Sequence, residues 1–172
     1  MIGQKVFLRA LELNDVQELY AFENDISIWN ESETLMPYST FALEQYVLDA
    51  INSDIFASKQ LRLAICQCSD GKIVGFIDLF NFSPKHLRAE VGVLIQKAHR
   101  KKGYAKEALQ LLIDYSYKIL GLHQLACSIN AENKESMRLF ESCNFECTSQ
   151  KKDWIRQNDT YTDELFYQLI LK

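Results

Sequence analysis

No apolar run in this 172-residue sequence approaches the ~18 residues that a helix needs to cross a bilayer. We also expect no secretory signal, because no long apolar stretch follows the first five residues, which instead lead into a predicted strand. We therefore expect a cytoplasmic protein without a membrane partner.

Basic charge is not in excess either. The 19 Lys and Arg residues are outnumbered by 23 Asp and Glu residues, which gives a net charge of −4 and a pI of about 5.4. This balance argues against a nucleic acid partner, and it would attract a cationic substrate.

No histidine lies close in sequence to either of the two closely spaced cysteine pairs. The closest cysteine spacings are C-x-C and C-x3-C, and the cysteine count is odd. We therefore expect no metal site and interpret the cysteines as reduced, mostly buried thiols, with a catalytic thiol as the less favoured alternative. They are Cys66, Cys68, Cys127, Cys143 and Cys147.

What the sequence does contain suits a single folded unit. Apolar residues make up 48% of the chain, and no linker, repeat or low-complexity segment interrupts it. Hydrophobic periodicity predicts the order β-α-α-β-β-β-α-β-α-β-β, so we predict one α/β (α+β) domain over residues 1–172. The first helix has a capping-box-like start at Asn14, Ser39 or Thr40 caps the second, and Gly92 predicts a bulge or a close backbone approach.

A basic turn that contains a glycine separates the predicted strand 87–95 from the predicted helix 104–119. Backbone N–H groups and the positive end of the helix dipole would point at one place there, and Gly103 would let backbone approach a phosphate. Neither a P-loop nor a three-glycine dinucleotide fingerprint is present. The turn still predicts an anion site for a phosphorylated cofactor, and its residues are Arg100, Lys101, Lys102, Gly103, Tyr104 and Ala105.

Two motifs in this sequence resemble those of the GNAT superfamily of acetyltransferases. The first, Arg100-x-x-Gly103-x-Ala105, resembles the family's pyrophosphate-binding loop. The second runs from Asn133 to Phe145, about thirty residues further on, and keeps the family's spacing. Asn144 stands where the family has a glycine, which is a mild change because Asn also tolerates a left-handed helix end.

The resemblance extends to the element order and so covers nearly the whole chain. It implies a GNAT-like fold with a mixed central sheet, splayed at its middle, and helices on both faces. It also implies acetyl-CoA as cosubstrate, with the strand pairing to the pantetheine amides and the basic loop holding the pyrophosphate. The implied coenzyme residues are Val93, Leu94 and Ile95 in the strand, the loop from Arg100 to Ala105, and Asn133, Ser136 and Phe140.

In the resembled enzymes an amine attacks the thioester directly. Freeing an alkyl amine of pKa near 10.4 from its proton at pH 7 costs roughly 4.6 kcal/mol, whereas a peptide α-amine needs only about 1 kcal/mol. A polyamine acceptor therefore needs a catalytic base more than a peptide acceptor does. Glu90 is the first candidate and Asp78 the second, although either carboxylate could instead bind the ammonium group.

Phe140 departs from the family pattern. Many of these enzymes have a tyrosine there, four residues after the motif serine, and it protonates the departing thiolate. Because a thiol of pKa about 8.5 can leave unaided at roughly 1–2 kcal/mol, three alternatives stay open. They are a slower enzyme, a replacement donor such as Ser136, Tyr104, Tyr161 or water, and a CoA-binding protein without turnover.

The predicted irregular segment 26–39 would line the acceptor side of this fold. Glu31 and Glu33 could bind a cation and Trp29 could form a cation–π wall, the alternative being a solvated acidic loop. Similarity to the branch of ribosomal-protein N-terminal and spermidine N-acetyltransferases, and the acidic balance, favour a polyamine such as spermidine. The α-amine of a protein N-terminus is the alternative acceptor, and a homo-oligomer stays open. An interaction domain that binds no CoA would make both motifs coincidences.

Overall fold

The residues that the computed structural model describes, 1–31, 34–157 and 159–172, with backbone alone at Asn30 and Glu31, contain one seven-stranded mixed sheet. Its strand order is β1-β2-β3-β4-β5-β7-β6, and all neighbours are antiparallel except β4 and β5. This arrangement confirms the predicted fold class. The strands are β1 Val6–Ala10, β2 Leu61–Gln67, β3 Ile73–Ser83, β4 Arg88–Ile95, β5 Gln124–Asn130, β6 Glu146–Gln157 and β7 Thr160–Ile170.

Helices cover both faces of the sheet, because each carries an apolar stripe that is buried against it. Leu19 of α1 and Val47 of α2 pack with Phe76 on one face, and Leu109 and Leu112 of α4 pack with Ile77 on the other. The helices are α1 Val16–Glu23, α2 Thr40–Asn52, α3 Ile55–Ser58, α4 Tyr104–Lys118 and α5 Lys134–Glu141. Short 3-10 helices occupy Leu13–Asp15, Ile26–Glu31 and Lys97–His99.

The two parallel strands in the middle of the sheet part soon after they meet. Within the described residues, β4 pairs with β5 only from Arg88 to Glu90, opposite Gln124 to Ala126. The remaining part of β4 stays paired to β3 as far as Ile95. The backbone edge of β4 that faces β5 is therefore open from Val91 onward, which is the predicted splay.

Two predictions about the starts of helices have different outcomes. Ser39 caps α2, since its hydroxyl accepts a hydrogen bond from the Ala42 amide. The capping box at the first helix lies between Glu12 and Asp15 and not at Asn14, because the 3-10 turn before α1 shifts the start of the helix.

The prediction of a bulge or close approach at Gly92 is wrong. Gly92 lies in regular register opposite Asp78, and a Cβ there would make an ordinary 3.5 Å contact with the Phe80 ring. The irregularity lies between Phe80 and Ser83, where Asn81 has a φ of 49°. A strand glycine permits a bulge without requiring one.

Among the described residues, none of the helices combines the length and the apolar character needed to span a membrane.

Candidate active site

A cavity of about 430 Å³ opens beside the free edge of β4, between the start of α4 and the start of α5. This volume falls in the range of small-molecule sites. The strand, the basic loop and the second motif meet there although they are separated in sequence. The lining residues are Val93, Leu94, Ile95, His99, Arg100, Lys101, Gly103, Tyr104, Ala105, Lys106, Asn133, Glu135, Ser136, Arg138 and Leu139.

The start of α4 forms the polar end of this cavity. Gly103 is the N-cap residue and has a φ of +85°, a left-handed conformation that favours glycine. No side chain of the described residues caps this end of the helix, so the first backbone amides of α4 are available to bind a ligand or water. An anion is the ligand that such a helix end attracts.

The cations of the loop are directed to different partners. The Arg100 side chain lines the cavity and donates from Nε to the Ile95 carbonyl at 3.1 Å. Lys101 lies 3.5 Å from the Glu135 carboxylate, and both side chains are exposed. Lys102 does not line the cavity, and its carbonyl accepts a hydrogen bond from Lys5. The structure thus brings five of the six predicted loop residues to the cavity wall.

The second motif contributes the opposite wall. Asn133 caps α5, with its side-chain oxygen accepting from the Ser136 amide at 3.0 Å, and both residues line the cavity. Asn144 has a φ of 66°, which confirms the predicted left-handed helix end. Phe140 is not in the wall: it is 4% exposed and packs edge-on against Phe145 in the core, with ring centroids 5.0 Å apart.

These features fit a long ligand with phosphates at one end. Free helix amides and Arg100 lie at one end of the cavity, whereas Val93, Leu94 and Leu139 form apolar wall along the open edge of β4. Such a strand edge can pair with an extended, amide-containing chain as another strand would. The cavity therefore has the polarity and the hydrogen-bonding edge that the pantetheine and pyrophosphate of CoA require.

Glu90 lies where β4 and β5 part. It is half-buried, forms the last pair between the two strands, and accepts a hydrogen bond from Asn81 Nδ2 at 3.0 Å. In the part of the chain that the structure describes, it belongs to no salt bridge. It shares the sheet face of α1 and α2 with Asp78, because Phe80 and Gly92 set these residues in register.

Asp78, by contrast, is held in a charged cluster. Arg62 Nε donates to Asp78 at 2.6 Å, and Arg62 Nη1 donates to Glu23 at 2.6 Å, with all three side chains less than a quarter exposed. The Arg62 guanidinium also lies 5.5 Å from the ring centre of Tyr46. Burial raises the pKa of Tyr46 to about 12, so this phenol stays protonated.

The predicted acceptor residues lie only partly within the described structure. Trp29 is half-buried on the side of α1, where its indole N–H donates to the Glu23 carbonyl at 2.8 Å. Glu33 and the side chain of Glu31 lie outside the described residues. The cation–π wall and the two acidic contacts therefore stay predictions.

Three of the five cysteines, Cys66, Cys127 and Cys143, are buried, whereas Cys68 and Cys147 are exposed. Burial first, and the Glu90 carboxylate second, raise the pKa of the Cys127 thiol. Cys66 and Cys143 are also buried, and burial is the main cause of their raised pKa values. Thiols of this kind are poor nucleophiles near neutral pH. Within the described residues, no group of three or more His, Cys, Asp or Glu residues could hold a metal ion.

Several site residues were missed by the sequence reasoning. His99 directly precedes the loop, and Arg138 and Leu139 lie inside the second motif, so proximity to the motifs could have found them. Arg62 and Glu23 carry no sequence signal, because sheet register and helix packing alone bring them to Asp78.

Comparison with known proteins agrees with this geometry. Residues 5–146 match the family model described as "Acetyltransferase (GNAT) domain". A spermidine N(1)-acetyltransferase from Vibrio cholerae is 26% identical over 147 residues, which cover 84% of this chain and 80% of the relative.

Solved structures are similar over almost the whole chain. The spermidine N-acetyltransferase of Vibrio cholerae in complex with CoA and spermine has a TM-score of 0.86 at 24% identity, covering 97% of this chain and 96% of that one, and at this identity it supports the fold alone. A dodecameric form of the Vibrio cholerae enzyme has a TM-score of 0.81 at 25% identity, covering 97% and 94%.

Proposed function

The chain belongs to the GNAT acetyltransferase family and is an acetyl-CoA-dependent N-acetyltransferase, and from this premise we propose that its acceptor is a small cationic polyamine such as spermidine. The observation that carries the acceptor class is the 26% identity to a spermidine N(1)-acetyltransferase. The net charge of −4 supports it, since it favours the approach of a cation. Because a solved form of the Vibrio cholerae enzyme is dodecameric, we also propose that this chain forms a homo-oligomer, which light scattering can test.

The cavity beside β4 is the proposed coenzyme site. When bound, acetyl-CoA supplies an activated acetyl group as a thioester. The open edge of β4 from Val93 to Ile95 would pair with the pantetheine arm, and the α4 amides with Arg100 would hold the pyrophosphate. Asn133 and Ser136, on the opposite wall, would border the arm.

Glu90 is the proposed base of the reaction. It lies at the parting of the strands, on the face that α1 and α2 cover, and its described partner is the neutral amide of Asn81. It can therefore accept the proton of an ammonium group without breaking an ion pair. Asp78 would first have to give up its 2.6 Å bond to Arg62, so we assign it to positioning.

Two of the donors considered for the departing thiolate are less suitable. The Tyr104 hydroxyl already donates to Gln67 at 2.7 Å, and Tyr161 is 58% exposed in the β6–β7 hairpin. Ser136 and water are the remaining candidates from the sequence, and Ser136 lines the cavity. We propose that the thiolate is protonated by Ser136 or water as it leaves, or leaves unprotonated. Because the thiol has a pKa of about 8.5, the free-energy cost of releasing it as thiolate is small.

The acceptor proposal is tested by measuring CoA release with spermidine, with spermine and with a pool of peptides that have free α-amines. We expect turnover with the polyamines and little with the peptides. N-acetylated spermidine should appear in proportion to the free thiol, as measured by mass spectrometry.

The opposite pattern, with turnover on peptides alone, would transfer the assignment to protein N-termini. Peptides blocked at the α-amine but carrying lysine serve as the matched control for a side-chain amine. Silence with every amine, in a protein shown by calorimetry to bind CoA, would contradict both acceptor classes.

A further inference from the structure

A lysine from the start of the chain lies on the pyrophosphate loop. Lys5 Nζ donates to the Lys102 carbonyl at 3.1 Å. The place that a Cβ on Gly103 would occupy is also 3.1 Å from this Nζ. The Lys5 ammonium group therefore lies beside the N-cap of α4, close to the amides that the proposed coenzyme site uses.

The backbone of Lys5 is fixed in this position by Glu107, in the first turn of α4. The Lys5 amide donates to both oxygens of the Glu107 carboxylate, at 3.0 and 3.2 Å, and the Gln4 amide donates to the same carboxylate. The Glu107 carboxylate also lies at the N-terminal end of α4, where we propose that the pyrophosphate binds. The amides of Gln4 and Lys5 donate to this carboxylate, and these hydrogen bonds keep its negative charge directed toward the N-terminal segment.

We propose that Lys5 supplies a further cation to the pyrophosphate of the coenzyme and that Glu107 is the residue that positions it. The inference rests on the coenzyme site proposed above. Lys5 is exposed and its present partner is a carbonyl oxygen, so its ammonium group can donate to a phosphate beside Gly103 without losing a salt bridge.

Calorimetric binding of CoA and of dephospho-CoA tests the role of Lys5, because both ligands contain the pyrophosphate and only CoA contains the 3′-phosphate. We expect Lys5→Met to weaken both about fivefold, as for one partly exposed ion pair. The salt dependence of the dissociation constant should become shallower, and Lys5→Arg should restore most of the affinity. Lys85→Met, in an exposed turn, is the matched control.

Unchanged affinity in Lys5→Met would overturn the proposal, and so would a loss for CoA alone, which would place Lys5 at the 3′-phosphate. If the unmodified protein bound neither ligand, the proposed coenzyme site itself would fail. These outcomes separate the two ideas.

Glu107→Gln tests the positioning role. If Glu107 acted only through its charge, its removal would tighten CoA binding, since one negative charge would leave the phosphate end. Positioning predicts weaker binding instead, and predicts that this weakening disappears when Lys5 is already Met. Tighter binding in both backgrounds would reject the positioning role.

Discussion

Two carboxylates on one sheet face differ in what they can do, and the difference lies in their partners. Glu90 bonds to the amide of Asn81, whereas Asp78 bonds to the guanidinium of Arg62. Position in the sequence favoured Glu90 over Asp78 as the catalytic base, but it could not show that the two carboxylates have different partners. The partner of each carboxylate makes Glu90 the candidate for proton transfer.

Glu90→Gln should lower kcat with spermidine by about 100-fold at pH 7, which is the lower end of a general-base contribution. The deficit should shrink as pH rises toward the pKa of the amine, near 10.4, because more acceptor is then already neutral. Steady-state kinetics across pH 7–10 measure both effects.

Glu44→Gln, on the exposed side of α2, is the matched control. Asp78→Asn should affect folding stability more than kcat, because it removes one of the two carboxylates that pair with the largely buried Arg62. A larger loss of kcat for Asp78→Asn than for Glu90→Gln would contradict the assignment.

At the scale of elements, the turn before α1 depends on one ion pair. Arg9 of β1 donates to both oxygens of Asp15, at 2.6 and 2.8 Å, and Asp15 also accepts from the Glu12 amide. Burial alone would raise the pKa of Asp15, but the bonds from Arg9 and Glu12 lower it overall. Asp15 thus joins the sheet to the first helix.

Asp15→Asn should lower the free energy of unfolding at pH 7 by about 2 kcal/mol, between the values for exposed and buried pairs. Because the folded pKa is lowered, the contribution is present above the unfolded pKa of about 3.9 and is lost as pH falls through the folded value. Urea unfolding at pH 7, 5 and 3 should therefore show a difference that persists at pH 5 and shrinks at pH 3.

Asp49→Asn, exposed on α2, should show no such difference. An Asp15→Asn deficit that stayed constant down to pH 3 would indicate lost packing or capping in place of a lost ion pair.

At the scale of the whole molecule, the proposed coenzyme site joins parts that are far apart in sequence. The cavity wall comes from β4, α4 and α5, and the opposite face of the same sheet carries Glu90. A ligand that bridges these elements binds the folded state alone. Its binding free energy is therefore added to the stability of the fold.

CoA at 100 times its dissociation constant should raise the free energy of unfolding by about 2.7 kcal/mol. For a chain of this size, that corresponds to an increase in Tm of roughly 5–11 °C. Differential scanning fluorimetry should show Tm rising with the logarithm of CoA concentration. A Tm that does not depend on CoA would contradict the proposed site.

Much of the fold was predictable because its signals are local. Apolar periodicity placed α4, and turn chemistry placed the left-handed end at Asn144. The short helix α3 and the 3-10 turn before α1 were not predicted, since such brief elements have no full period to detect. The prediction at Gly92 was wrong because a glycine can occur in a strand for reasons other than a bulge or a close backbone approach.

The sequence by itself determined the family and its two motifs, and it predicted an anion site at the loop, since each depends on residues that are close along the chain. Only the tertiary structure decided which charges meet. Lys5 reaches Lys102, Arg62 reaches both Glu23 and Asp78, and Phe140 turns into the core away from the cavity. Sheet register and helix packing fix these contacts, and neither can be read from spacing along a single chain.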